Sequence, residues 1–466
     1  MFIKLKEVIK KAVSKLFNKN SIQKELGVDI SISDDMTKAI ELWTNMYKGE
    51  YDHINESYPK TLNLASSISS EIARLVTVEF ESEITGNDYL NEQYQSFLKD
   101  IRKNVEYACA KGGVVFKPRL NNDSIDIEVV HADKFLPVDY TTNGNIKSAV
   151  FVEYLVKGKS LYTRVEFHKL TDGLYYIYNN AYVKHNYNNT EQLGKSIDLN
   201  EVEEWANIEP IVCIKNISKP LFTYFKMPLA NNIDLNSPLG VAVFSRAIDL
   251  IKEADYQYSR ILWEFEGAEL AINASTSVFE RDIDTGEMKI PQGKKRLYRF
   301  FNLPEDKVWN EFSPEIRDSS LFNGLNNILR KVEFNCGLAY GTLSDIQETD
   351  KTATEIKSSK QRSYSTVKDI QNSLQDSLEE LVCAMKNLAS LYNLMDLDYE
   401  ISFNFDDSLV LDKEAELLNM RNDVSAGILR PELYLAKKYG VSEEEALNMM
   451  PEIEPIEKSP YNGLDE

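Results

Sequence analysis

The hydrophobic positions between residues 237 and 268 follow the spacing of an amphipathic helix. Ser237-Pro238 places a helix-capping residue before a proline, whose missing N–H is harmless at the first helical position. The polar side carries Arg246, Asp249, Glu253, Asp255, Arg260 and Glu264. The pattern predicts a helix over residues 236–270, and its packing side consists of Phe244, Ile248, Ile251, Tyr258, Ile261 and Phe265.

A much longer helix is predicted over residues 352–393. Thr352 and Glu355 have the spacing of a capping box, in which both side chains bind free backbone N–H groups. The apolar stripe then runs through Ile356, Val367, Ile370, Leu374, Leu378, Leu381, Met385, Leu388 and Leu391. At about 1.5 Å per residue this helix is roughly 60 Å long. It could span an assembly, form a coiled coil or be an ordinary long core helix; Lys360 and Ser363 weaken a strict heptad.

A small insert is predicted over residues 271–313, between the first helix and the next. It contains strand-like runs at 276–279 and 297–301. Asp284-Thr285-Gly286 is a hairpin signal between them.

A second helix and a break follow the insert. The helix is predicted within 314–339, with its start near Asp318. Residues 340–351 then interrupt helical periodicity with Gly341 and small or polar side chains, which let the backbone change conformation at little cost.

The region before residue 236 combines helices with many strands. Helical stripes occupy 34–47 and 62–78, and residues 112–187 alternate apolar and polar positions. Turns at Asn143-Gly144 and Asp172-Gly173 predict antiparallel hairpins. The strand-like run 399–405 is expected to join the same sheet.

The C-terminal region predicts short helices. Gly427, Pro431 and Gly440 punctuate it, and Ser442 with Glu445 has the spacing of a capping box.

These segments together resemble the portal proteins of tailed bacteriophages. The strings that carry the resemblance are Asn236-Ser237-Pro238-Leu239-Gly240, Ala247-Ile248-Asp249, Pro314-Glu315-Ile316-Arg317-Asp318, Tyr340 to Asp350, and Thr352-Ala353-Thr354-Glu355. Their order and spacing match the two stem helices, the tunnel loop and the long helix of portals. The resemblance is closest to portals of siphophages or prophages from Gram-positive hosts.

The resemblance implies an α+β portal fold with an α/β wing, a two-helix stem, a small α/β clip, a long helix after the tunnel loop and a helical crown. The corresponding segments are a basic arm (1–30), the wing (31–235), stem helix 1 (236–270), the clip (271–313), stem helix 2 (314–339), the tunnel loop (340–351), the long helix (352–393), a wing strand (394–411), the crown (412–453) and an acidic tail (454–466).

The resemblance also implies a function. Portals form a ring at one capsid vertex, here expected to hold twelve copies, through which double-stranded DNA is packaged and ejected. The implied partners are further copies of the chain, DNA, the large terminase, the head–tail adaptor, and the major capsid and scaffolding proteins, with no membrane and no cofactor. The protein would occupy the virion, and the host cytoplasm during assembly.

Two groups of residues are expected to carry this function. The DNA-facing tunnel-loop residues are Gly341, Thr342, Leu343, Ser344, Asp345, Gln347, Glu348, Asp350 and Lys351. The clip residues expected to dock an acidic partner or DNA are Lys294, Lys295, Arg296 and Arg299.

Taken alone, the net charge of −21 argues against a role with DNA, because phosphate affinity comes mainly from Lys and Arg. A channel that lets DNA slide must instead avoid strong phosphate binding, which acidic walls achieve. An acidic surface also simply keeps a protein soluble. We therefore expect a channel role only for carboxylates on the stem helices and tunnel loop.

The sequence contains no strong signal for secretion, membranes or disulfides. Residues 1–17 interleave lysines with apolar residues, which favours a peripheral arm over a secretory signal or a membrane-surface helix. No apolar run reaches the ~18 residues of a membrane span. The four cysteines are widely spaced and are expected to be reduced: Cys109, Cys213, Cys336 and Cys383.

Catalytic motifs are weak, and we predict no catalytic or metal site. Lys157-Gly158-Lys159-Ser160 lacks the first glycine of a phosphate loop, since Glu153 stands there. His53, His131, His168 and His185 lack metal-binding spacing. Asp406-Asp407 could hold Mg²⁺, but adjacent acids are expected among 74. The alternatives are a non-channel adaptor or scaffolding protein and, less favoured, a packaging nuclease or ATPase.

Overall fold

A computed structural model of the chain describes residues 19–50, 61–121, 124–185, 193–269, 271–275, 298–301, 309–312, 314–345, 353–391, 398–405 and 413–450. The chain divides into two compact units between Phe405 and Asp406. The first helices of the larger unit are α1 (Lys19–Leu26), α2 (Asp34–Lys48), α3 (Leu64–Thr77), α4 (Asp88–Leu98) and α5 (Ile101–Lys111). Its first strands are β1 (Phe80–Thr85), β2 (Gly113–Asn121), β3 (Ser124–His131), β4 (Phe135–Tyr140), β5 (Ile146–Lys157), β6 (Ser160–Thr171), β7 (Leu174–His185), β8 (Lys195–Ile197), β9 (Ile211–Lys215) and β10 (Thr223–Lys226).

The remainder of this unit contains the longest helix. Its elements are α6 (Ile248–Gly267), β11 (Ala271–Ser275), β12 (Tyr298–Phe301), β13 (Trp309–Phe312), α7 (Asp318–Asn335), α8 (Ala353–Leu391) and β14 (Glu400–Phe405). Long helices and mainly antiparallel strands thus occur in one unit, which confirms the predicted α+β class.

Helices α2 and α3 lie where the N-terminal stripes predict them. The hydroxyl of Ser33 caps α2 by accepting from the backbone N–H of Met36 at 3.2 Å. Met36, Ile40 and Trp43 are fully buried on one side of this helix. The helical periodicity of the sequence therefore specifies both the element and its core side.

The predicted antiparallel strands of residues 112–187 are confirmed, and they form two sheets. One has the order β10-β2-β3, and the other has the order β4-β5-β6-β7-β8, with β9 also pairing with β7. Asp172 and Gly173 turn the chain between β6 and β7 with positive φ angles of 49° and 78°. The turn residues thus set the register of the longest hairpin.

Strand β14 differs from its prediction. It pairs antiparallel with β1, far away in sequence, in a two-stranded sheet of its own rather than in the sheet of residues 112–187. The rings of Phe80 and Phe405 lie 4.8 Å apart at one end of this pairing. Alternation of apolar and polar residues predicts a strand but not its partner, because pairing is decided by the tertiary fold.

Helix α8 confirms the predicted apolar stripe from Val367 to Leu388, whereas Leu391, also assigned to it, is 41% exposed. Leu374, Leu378, Leu381 and Met385 are fully buried. Its Ser373 hydroxyl donates to the backbone oxygen of Lys226 in β10 at 2.7 Å. The C-terminal half of this helix is therefore a core element. The predicted cap at residues 352 and 355 lies outside the described side chains.

The predicted start of the first stem helix is wrong. Helix α6 begins at Ile248, and Ser237 instead binds the backbone N–H of Leu239 through its hydroxyl at 3.3 Å. The intervening residues pack against α5, where the N–H of Val243 donates to the Cys109 oxygen at 2.9 Å. Gly240 is pressed against the backbone of this region, so any side chain there would collide. Residues 239–244 are all buried, without the mixture of buried and exposed positions that a surface helix shows. A surface helix is therefore unfavourable here.

A small three-stranded sheet lies in sequence between α6 and α7. Its order is β12-β11-β13, with β12 parallel and β13 antiparallel to β11. The run 297–301 is confirmed as a strand, whereas β11 and β13 were not predicted. The run 276–279 and the hairpin signal at 284–286 lie outside the described residues.

The smaller unit contains three described helices: α9 (Lys413–Ser425), α10 (Pro431–Tyr439) and α11 (Glu443–Asn448). The predicted capping box is confirmed. The Ser442 hydroxyl accepts from the backbone N–H of Glu445 at 3.2 Å, and the Glu445 carboxylate accepts from the backbone N–H of Ser442 at 3.3 Å. Of its described side chains only Glu432 and Ala446 are buried.

The four cysteines are free thiols, as predicted. Among the described helices, none combines the length and the apolar character needed to cross a lipid bilayer.

Candidate DNA-channel elements

Helices α6 and α7, here called the helix pair, pack against each other in antiparallel directions. Near the end of α6, both Glu264 oxygens accept from the Arg317 guanidinium at 2.9 and 2.7 Å. Further back, the Gln257 amide donates to the Leu321 oxygen at 3.4 Å. Successive residues of α7 thus meet earlier residues of α6, as in a hairpin.

The predicted packing residues of this region fall into three environments. Ile251 and Ile261 are fully buried, and Ile248 and Tyr258 are partly buried against the core. Phe265 is 40% exposed and its ring lies 6.3 Å from that of Phe322. Phe244 is buried but precedes the helix, so its assignment to the helical stripe is wrong.

Large aromatic side chains of the helix pair remain exposed. Trp263 is 59% exposed and Phe334 is 55% exposed. This group, here called the outward aromatics, consists of Tyr256, Trp263, Phe265, Phe322 and Phe334. Tyr256, Trp263 and Phe265 lie in the segment predicted as a two-sided helix, and of these only Phe265 was assigned to its packing side. The signal that could have found the others is the presence of bulky aromatics on the polar side of an amphipathic helix.

Asp255 lies in a different place from that predicted. Asp255 is only 4% exposed, although the sequence places it on the polar side of α6. The carboxylate accepts from the backbone N–H of Leu62 at 2.8 Å and from the Thr61 hydroxyl at 3.2 Å. Because these residues precede α3, Asp255 fixes the segment that leads into that helix from a distant part of the chain.

The break after α7 is held by two side chains of that helix. Glu333, which is fully buried, accepts from the backbone N–H groups of Gly341, Leu343 and Ser344 at 3.0, 2.6 and 2.9 Å. Asn326 accepts from the N–H of Asp345 at 2.8 Å. The predicted DNA-facing residues 341–345 therefore lie along α7. Those at Gln347, Glu348, Asp350 and Lys351 lie outside the described residues.

Of the predicted clip-docking residues, only the backbone of Arg299 is described, and it lies in β12. Lys294, Lys295 and Arg296 lie outside the described residues. Within the part of the chain that is described, β12 and β13 each pair only with β11, so both edges of this sheet are open.

One protein family matches nearly the whole chain. The family described as "Phage portal protein, SPP1 Gp6-like" matches residues 29–459. The chain belongs to this phage portal protein family. The match includes the helix pair, the long helix and the strand-rich region, so the resemblance inferred from short strings extends to the complete architecture.

Two solved structures that contain similar chains are the "Virion of native gene transfer agent (GTA) particle" and the "Neck of native GTA particle computed with C12 symmetry". The first match is 10% identical, covers 89% of this chain and 95% of the other, and has a TM-score of 0.42. The second is 11% identical, covers 88% and 94%, and has a TM-score of 0.42. No curated protein matches the chain in sequence.

Family membership confirms the function that the resemblance implies. The chain is a portal protein, a virion component that provides a channel for phage DNA. Portals are structural channel proteins rather than enzymes. This assignment replaces the adaptor, scaffolding, nuclease and ATPase alternatives.

A network of buried titratable groups joins the sheet of this portal protein that contains β2 to the sheet that contains β6. Glu166 of β6 contacts Lys117 of β2 at 2.7 Å, Arg164 at 3.0 Å and His168 at 2.6 Å. Burial would raise the pKa of Glu166, but the charges of Lys117, His168 and Arg164 together hold its pKa well below the usual range. The network is internally paired, and we interpret it as a tie between the sheets.

The weak motifs of the sequence have structural roles in the portal. Lys157-Gly158-Lys159-Ser160 forms the turn between β5 and β6, not the strand-to-helix turn that a phosphate loop requires. His168 is part of the buried network, and the His185 ring lies 2.7 Å from the Ser160 hydroxyl. In the described portion of the chain, no cluster of three His, Cys, Asp or Glu side chains is placed to hold a metal. His53 and Asp406-Asp407 lie outside it.

Proposed function

We propose that twelve copies of this chain close into a ring at one capsid vertex, with the helix pair as the stem around a double-stranded DNA channel. The observation that carries this proposal is the set of outward aromatics on the helix pair. Large apolar side chains left exposed in one chain mark surfaces that another protein covers. In a family of channel proteins, that cover is the neighbouring copy.

The outward aromatics occur on both helices, as a closed ring requires. In a cyclic assembly each subunit presents two different surfaces, one to each neighbour. Trp263 and Tyr256 lie on α6, whereas Phe322 and Phe334 lie on α7. Burying such side chains against a neighbour gains about 25 cal/mol per Å² of apolar surface removed from water, repeated at every interface.

The sheet between α6 and α7 is proposed as the clip, on which the large terminase and then the head–tail adaptor dock. Open strand edges can pair with an added strand from another chain. Lys294, Lys295, Arg296 and Arg299 would add positive charge to this surface in a chain whose net charge is −21. The major capsid and scaffolding proteins are proposed to contact the ring outside the clip.

The acidic composition fits a channel through which DNA slides. Strong phosphate binding needs many Lys and Arg contacts, and the excess of 74 acidic over 53 basic residues opposes such adhesion of passing DNA. Gln347, Glu348, Asp350 and Lys351 are proposed to line the narrowest part. A Gram-positive host and residence in the host cytoplasm during assembly complete the proposal.

Electron microscopy and native mass spectrometry of the purified protein test it. We expect rings with a central hole and the mass of twelve 53.4 kDa chains. Replacing Trp263 and Phe322 with Asp should give folded subunits that do not assemble into closed rings. Changing the exposed Asp249 of α6 to Ala should leave the rings intact. Wild-type monomers at micromolar concentration, or closed rings in the double variant, would contradict the proposal.

A further inference from the structure

The buried carboxylate of Glu333 lies in a concave group of backbone donors. Its Oε1 accepts from the N–H groups of Gly341, Leu343 and Ser344, and its Oε2 accepts from the Ser344 hydroxyl at 2.9 Å. Gly341, with φ of +90°, turns the chain so that these groups converge. Successive N–H groups arranged in this way form an anion-binding nest.

No cation pairs with Glu333 among the described residues. Its residue has no exposed surface, so four hydrogen bonds take the place of water around the carboxylate. A buried charge held by backbone and hydroxyl donors is tolerated when each oxygen is satisfied, and it is costly when any donor is lost. The carboxylate and residues 341–344 therefore depend on each other.

Asn326 repeats the contact two turns earlier on α7. Its Oδ1 accepts from the N–H of Asp345 at 2.8 Å, and its Nδ2 donates to the Asp345 oxygen at 3.2 Å. Asn326 and Ser344 are themselves buried. Glu333 and Asn326 stand seven positions apart, which places them on the same side of the helix. Residues 341–345 are thus bound to α7 at both ends.

We propose that Glu333 is the anchor of a clasp, completed by Asn326, that makes residues 341–345 a fixed part of the helix pair rather than of the tunnel loop. In this arrangement the segment follows every movement of α7, and the DNA-facing part of the break excludes Gly341 to Asp345. Glu333 is a positioning residue, since it acts through the segment that it holds. The assignment of a tunnel loop rests on the proposed function, whereas the clasp rests only on the hydrogen bonds of Glu333 and Asn326.

Hydrogen–deuterium exchange of the full chain, followed in peptides that cover residues 338–345, tests the clasp. In the wild type these amides should be protected. Glu333→Ala should speed exchange about tenfold or more at residues 341–344, because it removes hydrogen bonds to a charged group. Glu333→Gln keeps an acceptor oxygen and should give a smaller increase. Asn326→Ala should speed exchange at Asp345, whereas its exposed neighbour Asn327→Ala is the matched control.

Unchanged exchange in Glu333→Ala, or the same increase in Asn327→Ala as in Asn326→Ala, would overturn the proposal. If Glu333→Ala fails to fold, Glu333→Gln and Asn326→Ala give the same comparison in a folded protein. Failure of the wild type to form rings would contradict the proposed function and leave this measurement unaffected. DNA retention in particles carrying Asn326→Ala then reports whether a loosened segment disturbs the channel.

Discussion

The Asp255 carboxylate in the middle of α6 accepts a hydrogen bond from the backbone N–H of Leu62 at 2.8 Å. Residues 62 and 255 are far apart in sequence, and the contact joins the helix pair to the start of α3. The α3 cap residue, Asn63, has φ of 53° and makes no side-chain capping bond, and Asp255 fixes the two residues just before that cap.

Asp255→Ala should destabilise the subunit by about 2 kcal/mol, because buried donors would lose a charged acceptor. Thermal unfolding should show a lower Tm for Asp255→Ala than for the wild type, and the Tm of Asp255→Asn should lie between the two. Asp249→Ala is the control, since its side chain is fully exposed on the same helix. Equal Tm values for the Asp255 and Asp249 variants would show that the contact contributes nothing.

Replacing Ile251 and Ile261 with Asp should affect folding rather than ring closure alone. Both residues are fully buried within the subunit, so the introduced charges should prevent stable folding. We expect insoluble or protease-sensitive protein, in contrast to the soluble monomers expected for the Trp263 and Phe322 variant. Soluble, protease-resistant monomers of the Ile251 and Ile261 variant would contradict the prediction that it does not fold stably.

Changing Lys294, Lys295, Arg296 and Arg299 to Glu should weaken binding of the terminase or the adaptor while rings still form. The reason is loss of complementary charge at a surface proposed for docking. Pull-downs at several salt concentrations measure the effect, which should be largest at low salt. Wild-type binding at every salt concentration would count against docking through these residues.

His131 should make stability depend on pH. Burial, with Lys111 nearby, lowers the pKa of His131 to about 4 from the usual 6.5. Below pH 6.5 the unfolded chain gains a proton that the folded chain does not, so stability is greatest above pH 6.5 and falls until about pH 4. The loss is about 3 kcal/mol, since one pKa unit corresponds to about 1.4 kcal/mol.

Unfolding curves of the wild type and His131→Phe between pH 4 and 7 measure this contribution. The variant should retain more of its neutral-pH stability at low pH, because the phenyl ring that replaces the imidazole beside Tyr107 cannot take up a proton. His185→Phe, in the exposed end of β7, is the control. Parallel pH profiles for the wild type and the His131 variant would contradict the assignment.

The sequence by itself determined which segments are helices and strands over much of the chain, and through them the family. The stripe of α8, the hairpins of residues 146–185 and the capping box at Ser442 all depend on neighbours a few positions away. Periodicity, turn residues and caps are local properties, so they can be recognised without the fold.

Tertiary structure alone decided the start of α6, the partner of β14 and the roles of Asp255 and Glu333. Residues 239–244 are an apolar run that could continue a helix, but contact with α5 holds them in another conformation. Asp255 and Glu333 look like surface acids in a chain with 74 acidic residues. Apart from the Thr61 and Ser344 hydroxyls, their partners are backbone N–H groups, which every residue other than proline carries, so the side-chain pattern does not mark these contacts. Only the path of the folded chain brings those donors to the carboxylates.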